Sequence, residues 1–289
     1  MLYPLRYFPL LCCLFYCTPK AQQSHNERLE TVFSFPKKMK EISGIQLSLD
    51  GNFLYTHEDH GNENEIYVFN LKGELLRKVR IDGAVNKDWE DISQDKQGFT
   101  YIGDFGNNDN LRENLAIYKV KIDAADHTPV LQTTTFYYPE QTGFPPRKKE
   151  LFYDCEAFFE HRGFFYLFTK NRSKGFDSTS LIYKIPNKPG YYKAELLGKL
   201  KPGGNFDEAA ITGADISPDG KTVALITHQN VLLLEDYQGD DFVHAKIRKI
   251  DLEHTSQKEG ICFKGNHQLL IADERASKIG GFLYQLCLN

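Results

Sequence analysis

From residue 28 onward, short apolar segments alternate with polar turns, and the same arrangement recurs five times along the chain. Each unit opens with a small or acidic pair followed by a hydrophobic residue: Ser43-Gly44-Ile45, Glu90-Asp91-Ile92, Glu156-Ala157-Phe158, Ala214-Asp215-Ile216 and Glu259-Gly260-Ile261. A turn containing Gly comes next, as in tight hairpins, because Gly accepts positive φ. A second and a third apolar strand follow, and a more polar fourth strand ends most units. The pattern therefore predicts a series of similar antiparallel sheets.

The spacing of these units identifies a repeat architecture. They start at residues 43, 90, 156, 214 and 259, close to the ~40–50-residue period of propeller blades, with additional loop in the second and third units. The last unit has only three strands before the chain ends, and the segment 28–35 can supply its missing outer strand. We therefore predict an all-β fold, a single five-bladed β-propeller over residues 28–289, closed by an N-terminal strand that pairs with the last blade. A β-sandwich or two-sheet barrel is the competing fold, but neither repeats one opening motif in every unit.

The N-terminal segment has the features of an export signal. Arg6 provides a positive start, and Tyr7 to Cys17 is an apolar run, shorter than the ~20 residues of a membrane span. We predict a signal peptide over residues 1–21 and an exported protein that is periplasmic, extracellular or lipid-anchored at the cell envelope. Lipid attached at Cys17 is one alternative, and it would be the only link to a membrane. A buried N-terminal strand is the other.

Composition narrows the range of partners. The formal net charge is −4 and no basic cluster is present, which argues against a nucleic-acid polymer, since phosphate binding needs a stripe of Lys and Arg. The 21 Phe and 16 Tyr, against 2 Met, favour sheet over helix. Beyond the N-terminal segment, the cysteines are Cys155, Cys262 and Cys287, and their wide spacing suits neither a disulfide framework nor a zinc site. We expect a monomer.

Acidic side chains are concentrated at the blade openings, where the first strand of each blade lines the central channel. Residues two apart on a strand share a face, so the openings form two rings: Glu41, Asp88, Asp154, Thr212 and Gln257 above Ser43, Glu90, Glu156, Ala214 and Glu259. Carboxylates crowded in a narrow tube repel one another unless they are protonated, paired with Lys or Arg, or bound to a cation. Oxygen ligands without His or Cys suit Ca²⁺.

We therefore predict Ca²⁺ as a cofactor in the channel, held by Glu41, Ser43, Glu90, Glu156 and Glu259. In the alternative interpretation, acidic groups of the first strands only accept hydrogen bonds from backbone amides and lock neighbouring blades together.

Two resemblances extend this interpretation. The openings Glu41-Ile42-Ser43, Trp89-Glu90 and Glu156-Ala157 resemble those of the calcium-dependent apyrases, secreted five-bladed propellers that hydrolyse nucleoside diphosphates. This resemblance implies one central Ca²⁺ with about one Ser or Glu per blade. Ala214 departs from it, with Thr212 as a substitute, and the family's nucleotide-contacting pattern is not evident. The chain also resembles a set of exported bacterial propellers marked by Asp-Trp-Glu-Asp-Ile and two further motifs, which stand here at 88–92, 103–108 and 212–220. That set implies no established activity.

A second polar set follows the second strands, at the channel mouth, where propellers most often bind ligands. From it we take as candidate catalytic residues His57, Asp59, Asp104, Arg172, His228, Asp273 and Arg275. Two functions stay open. The first is a ligand-binding module at the cell exterior that recognises a small anionic ligand or a glycan. The alternative is a Ca²⁺-dependent hydrolase of phosphate esters or lactones, in which Ca²⁺ polarises the substrate, a His or Asp activates water, and Arg172 or Arg275 holds the negative charge.

Overall fold

A computed structural model describes residues 28–276 and 279–289. The predicted signal peptide over 1–21 and the alternative lipid attachment site Cys17 lie outside these residues. The described chain forms five sheets arranged as the blades of a β-propeller, which confirms the predicted fold. In this part of the chain, no helix combines the length and the apolar character needed to cross a membrane.

The first three blades follow one another along the chain. Strand β1 (Glu30–Ser34) precedes blade 1, which contains β2 (Ile42–Leu47), β3 (Phe53–Glu58), β4 (Glu65–Asn70) and β5 (Leu75–Asp82). Blade 2 brings β6 (Trp89–Gln94), β7 (Thr100–Asp104), β8 (Leu115–Val120), the short β9 (His127–Pro129) and β10 (Gln132–Tyr137). Blade 3 brings β11 (Asp154–His161), β12 (Phe164–Lys170), β13 (Ser180–Pro186), the short β14 (Gly190–Lys193) and β15 (Glu195–Leu200).

A one-turn helix leads into the last two blades. After α1 (Phe206–Ala209), blade 4 consists of β16 (Gly213–Ile216), β17 (Val223–Ile226), β18 (Asn230–Glu235) and β19 (Lys246–Asp251), with a 3-10 turn at Phe242–His244 before β19. Blade 5 consists of β20 (Lys258–Phe263), β21 (Gln268–Asp273), the paired two-residue strands β22 (Arg275–Ala276) and β23 (Ile279–Gly280), and β24 (Phe282–Cys287).

The ring closes as the sequence predicts. β1 pairs antiparallel with β24, so that the N-terminal strand becomes the outer strand of blade 5. Phe35, just after β1, is buried, and its ring lies edge-on to Phe69 of blade 1 at a centroid distance of 5.4 Å. The closing segment therefore belongs to the sheet of blade 5 and also packs against blade 1.

Two short strands cross to the preceding blade. The sequence pattern predicts one fourth strand in blade 3 from Tyr192 to Leu200, but the structure has two, and β14 pairs in parallel with β10 of blade 2. The break falls at Ala194, which is fully buried and donates its amide to the Tyr137 carbonyl at 3.0 Å. In the same way β9 pairs with β5 of blade 1. Both strands cover an outer edge that would otherwise present unpaired backbone groups.

The hydrophobic core is divided among the five interfaces between blades, with one apolar cluster at each. The strands are apolar on both faces because each blade lies between two others. In β17, for example, Val223 and Leu225 pack towards blade 3, whereas Ala224 and Ile226 pack towards blade 5. This arrangement brings the first strands together around the central axis, where the candidate site lies.

Candidate functional site

The residues predicted to line the channel occupy irregular positions of the first strands. Pairing with the second strand skips a residue at Glu90 in β6, at Glu156 in β11 and at Glu259 in β20. A similar shift in β2 spans Ser43. Such β-bulges turn a side chain out of the regular ladder and re-aim it. β16 pairs in continuous register, and its Ala214 packs in the core with blade 3.

Three buried carboxylates meet at the channel mouth. Glu90, Asp154 and Glu156 each offer an oxygen, and these oxygens all lie within 4.8 Å of one another. Asp88 lies next to Glu90, because an added Cβ on Gly106 would lie 2.0 Å from Glu90 Oε1 and 2.5 Å from Asp88 Oδ2. The missing side chain at Gly106 therefore provides the space that both carboxylates use.

Two of these carboxylates have counter-charges from their own blade. Arg172 Nε lies 2.7 Å from Asp154 Oδ2, and the same guanidinium binds Glu156. The buried Lys170 ammonium binds the other oxygen of Glu156. Asp154 Oδ1 also accepts a hydrogen bond from the Asn107 amide at 2.8 Å. Blade 3 thus places two basic side chains beside its two channel acids.

Glu90 has no such partner. Its side chain is buried, with the residue 7% exposed, yet no donor in the described part of the chain makes a hydrogen bond or ion pair with its carboxylate. Burial, together with Glu156 and Asp88, raises the pKa of Glu90 well above its usual range. Burial also raises the pKa of Asp88 to about 6, with Asp154 adding to the effect. The pKa of Asp154 is raised to about 6 by burial and Glu156, against the effect of Arg172.

The excess of negative charge extends across the mouth to blades 1 and 5. The pKa of Asp59 is raised to about 8 by burial and by Glu41 and Asp88. The pKa of Glu274 is raised to about 9 by burial and by Glu259 and Asp59. Glu274 directly follows a second strand, as Asp59 does, so the sequence pattern that identified Asp59 also includes Glu274. The two basic groups of blade 3 do not balance this set of acids.

A histidine and a carboxylate pair on the opposite side of the mouth. His228 Nδ1 lies 3.0 Å from Asp207 Oδ1, and its Nε2 lies 3.8 Å from Glu259 Oε1. Burial favours the neutral ring, but Glu259 and Asp207 outweigh it and raise the pKa of His228. Burial would likewise raise the pKa of Glu259, but Lys170 and His228 outweigh it and lower that pKa. Asp207 stands on α1, which the sequence interpretation did not identify.

The structure places four other candidate catalytic residues in contacts that hold the chain together. His57 is buried beside Trp89, and burial lowers its pKa to about 4. Asp104 binds Arg112 at 2.8 Å. Asp273 accepts hydrogen bonds from the Phe282 amide and the Tyr284 hydroxyl, and Arg275 donates to Ser34 Oγ and to the Phe35 carbonyl. Asp59, Arg172 and His228 remain at the mouth.

The five residues predicted to hold a metal are also not equivalent. Glu90 and Glu156 lie together and are joined by Asp154, which was placed in the upper ring of acids. Glu259 lies towards His228, whereas Glu41 is exposed and accepts a hydrogen bond from Asn62 Nδ2 at 2.8 Å. Ser43 is buried and donates its hydroxyl to the Glu90 carbonyl. The carboxylates therefore cluster on the side of blades 2 and 3 instead of forming an even ring.

Two further acids of the openings bind the backbone of other blades. Asp91 Oδ2 accepts hydrogen bonds from the amides of Phe158 at 3.0 Å and Ala214 at 3.2 Å. Asp215 Oδ2 accepts one from the Phe263 amide at 2.8 Å. The opening motifs contain both residues, but the sequence does not distinguish the role of Asp91 from that of the adjacent Glu90. Asp91 and Asp215 thus lock neighbouring blades together through backbone amides, and among the channel acids Asp154 does the same through the Asn107 amide.

Comparison with known proteins supports the architecture. No protein-family model and no curated protein sequence matches the chain. Among solved structures, the PQQ-bound form of aldose sugar dehydrogenase from Streptomyces coelicolor is similar, with a TM-score of 0.53. The match covers 90% of this chain and 97% of that chain at 9% sequence identity. At this identity the likeness concerns the fold alone, and it agrees with the sheet order in identifying the chain as a β-propeller.

Proposed function

We propose that this chain is an exported binding protein that holds Ca²⁺ at the carboxylate mouth and uses it to recognise a small anionic ligand or a glycan. The observation that carries the proposal is the Glu90 carboxylate, buried and without a donor, beside Asp88, Asp154 and Glu156. A buried carboxylate without a partner is costly, and a cation supplies the partner that the protein's own side chains do not.

The donor set fits Ca²⁺. Oxygens at the ~2.3–2.6 Å coordination distance of this ion lie up to about 5 Å apart on opposite sides of it, and the clustered oxygens are within 4.8 Å of one another. The group contains carboxylates only, which are ligands for hard cations. Asp154 and Glu156 already bind Arg172 and Lys170, but a carboxylate has about four lone-pair directions and can bind a further group.

The protein's own residues have defined tasks in this proposal. Glu90 and Asp88 contribute the negative charge that blade 3 leaves unbalanced, and Gly106 leaves them room. The Arg172 side chain is 28% exposed at the mouth, so its guanidinium is accessible to an anionic group while it orients Asp154. Bound Ca²⁺ adds a positive centre for an oxygen of the ligand.

Two sequence features support the choice of ion and compartment. The blade openings resemble those of the calcium-dependent apyrases, and the Asp88–Ile92 motif resembles that of exported bacterial propellers. The apolar run Tyr7–Cys17 supports export, with the protein in the periplasm, outside the cell or anchored by lipid at Cys17.

The test combines metal analysis with thermal unfolding in EDTA, Ca²⁺ and Mg²⁺. We expect purified protein to contain Ca²⁺, and a ~100-fold excess of Ca²⁺ over its Kd to add roughly 2.7 kcal/mol to the free energy of unfolding. Glu90→Gln should abolish this gain. Glu195→Gln, which removes an exposed acid in blade 3, should keep it. A gain of equal size in Glu90→Gln and wild type would reject the site.

The hydrolase alternative draws on one observation, the His228–Asp207 pair. A carboxylate bound to Nδ1 fixes the orientation of the ring, as it does for a His that acts as a general base, and the buried Nε2 lies beside Glu259. Nucleotides, phytate and lactones can be assayed with Ca²⁺ and with EGTA. Turnover that requires Ca²⁺ and is lost in His228→Gln would favour a hydrolase, and no turnover on any of them in Ca²⁺ would leave the binding function alone.

A further inference from the structure

A large cavity opens at the end of the channel opposite to the carboxylate mouth. Its volume is about 960 Å³, and every blade contributes the end of its first strand and the following turn, including Gln46, Gln94, Glu160, Ile216 and Phe263. A cavity of this size matches the ~300–1,000 Å³ of typical small-molecule sites. We refer to it as the turn-side cavity.

The turn-side cavity is separate from the mouth. Between them the first strands approach so closely that an added Cβ on Gly44 would lie 2.7 Å from Asp91 Cα, and one on Gly260 would lie 2.8 Å from the Ser43 carbonyl oxygen. The fully buried Asp91 carboxylate spans three blades at this level. A ligand in the cavity therefore does not contact the acids at the mouth.

The acidic residues in the cavity wall are bound to neighbouring groups. Asp95 accepts hydrogen bonds from the Gln97 amide and the Tyr101 hydroxyl. Glu160 accepts one from the Gly163 amide at 2.7 Å. Asp215, also in the wall, is bound by two backbone amides. These bonds disperse the negative charge of the wall into backbone dipoles and a hydroxyl.

Of the lysines and arginines in the same wall, Lys119 lies over the Phe99 ring at 3.9 Å, and the other three are unpaired within the described residues. In the described part of the chain, no hydrogen-bond or ion-pair partner contacts the side chains of Lys96, Arg162 or Lys264. His161 lies among them, and its pKa is lowered by burial and by the positive charges of Arg162 and Lys96. An added Cβ on Gly220 would lie 3.0 Å from the His161 ring, so the ring packs on the neighbouring turn of blade 4. Free cations beside bound acids make this end of the channel attractive to anions.

The wall also offers apolar surface. Leu47, Leu49, Ile216, Pro218 and Phe263 line the cavity, and Leu49 is 64% exposed. An inorganic anion would leave this surface in contact with water. An organic anion would cover it, and burial of apolar area contributes to affinity.

We propose that the turn-side cavity is a binding site for a small organic anion, which places its carboxylate or phosphate group at Lys96, His161 and Arg162 and its apolar part on Leu49 and Pro218. The two ends of the channel then have opposite preferences, a cation at the mouth and an anion at the turns.

The test is a fluorescence titration of the native protein with anilinonaphthalene sulfonate, an aromatic anion, and with the uncharged N-phenylnaphthylamine. We expect saturable binding of the anion at least tenfold tighter than that of the neutral dye. Lys96→Gln/Arg162→Gln should weaken anion binding at least tenfold, whereas the charge-matched Lys149→Gln/Lys193→Gln, with exposed lysines elsewhere, should not. If Lys96→Gln/Arg162→Gln fails to fold by circular dichroism, Lys96→Gln/Lys264→Gln serves in its place.

Several results would overturn the proposal. Equal affinity for the two dyes would show that the cavity does not recognise charge. Wild-type affinity for the anion in Lys96→Gln/Arg162→Gln, or in the variant that serves in its place, would show the same. Anion binding that is lost in Glu90→Gln or in EDTA would place the dye at the mouth. We expect neither treatment to change it, so the outcome is independent of the proposed Ca²⁺ site.

Discussion

The carboxylate of Asp91 in blade 2 accepts a hydrogen bond from the backbone amide of Ala214 in blade 4, at 3.2 Å, although blade 3 follows blade 2 in the ring. The same oxygen accepts the Phe158 amide of blade 3, and the other oxygen accepts the Ile92 amide. One side chain therefore connects three of the five first strands. It lies between the two ends of the channel, and thus between the proposed Ca²⁺ site at the mouth and the turn-side cavity proposed to bind an anion.

Asp91→Ala is expected to destabilise the protein more than any other substitution of an acid in the openings. It leaves three buried amides without an acceptor, and each such donor costs about 1–3 kcal/mol, so we expect a loss of about 3 kcal/mol or more. Asp215→Ala leaves two amides unpaired and should lose less. Chemical denaturation measures both, with the exposed Asp126→Ala as control. An equal effect of all three substitutions would contradict the role of Asp91.

Phe35→Ala is expected to weaken the closure of the ring. Phe35 is buried, and its ring contacts Phe33 and Phe69 at centroid distances of 5.1 and 5.4 Å. Removing a buried Phe ring costs about 3–5 kcal/mol. Val32→Ala on the exposed side of β1 should change the free energy of unfolding by less than about 0.5 kcal/mol. Limited proteolysis should release the N-terminal segment faster from Phe35→Ala than from Val32→Ala, and equal rates would argue against this closure.

The parts of the fold that follow from local patterns could be predicted from the sequence. The openings and the closing strand are examples, because apolar alternation and turn residues mark them. The pairing of β14 with blade 2 could not be predicted, since the pattern predicts a single fourth strand from Tyr192 to Leu200 and only the burial of Ala194 divides it. Helix α1 had a signal, Asn205 three residues before Glu208, which forms a capping box.

The candidate site was predictable to a smaller extent. The sequence identified Glu90 and Glu156 because each stands at the same position of its blade's opening motif, and the structure brings the two together. Their different environments depend on tertiary contacts: Lys170 and Arg172 bind Glu156 from the adjacent strand and its loop, and no basic side chain among the described residues forms an ion pair with Glu90. Asp207 reaches His228 only through the folded ring.

Stability should depend on pH through Asp215. Burial raises its pKa from 3.8 to about 7, so between these values the folded protein keeps a proton that the unfolded chain has lost. The free energy of unfolding then falls as pH rises through this window, by up to about 1.4 kcal/mol per pH unit. Above pH ~7 Asp215 is ionised in both states and causes no further change. Asp215→Asn should flatten the profile of the free energy of unfolding against pH. The exposed Asp126→Asn should keep the wild-type slope, and parallel profiles for all three proteins would refute the assignment.

Gly106→Ala should disturb the candidate metal site without replacing any of its carboxylates. The new Cβ would lie 2.0 Å from Glu90 Oε1, too close for either atom to stay in place. We expect overpacking to lower the free energy of unfolding by about 1–3 kcal/mol and to reduce the thermal shift produced by Ca²⁺. In Gly106→Ala/Glu90→Ala the overlap with Glu90 is removed and only the contact with Asp88 at 2.5 Å remains, so the free energy of unfolding should recover in part while the Ca²⁺ response stays absent. A double variant no more stable than Gly106→Ala would show that the overlap with Glu90 is not the cause.

Lys170→Met separates the internal counter-charge from the proposed cation. Without the buried ammonium, Glu156 loses a partner, and breaking a buried ion pair costs about 3–5 kcal/mol. We expect the free energy of unfolding to fall by this amount in EDTA and to recover in part in Ca²⁺, because the ion then binds a less neutralised carboxylate. The affinity for Ca²⁺ should rise about tenfold, which corresponds to 1.4 kcal/mol. The control is Lys201→Met, because Lys201 forms an exposed ion pair with Asp177 that is worth about 0–1 kcal/mol. This variant should leave the free energy of unfolding and the affinity for Ca²⁺ unchanged. Calorimetric titration and thermal unfolding with and without Ca²⁺ decide the matter: an equal loss in both conditions would mean that Lys170 and the cation do not share Glu156.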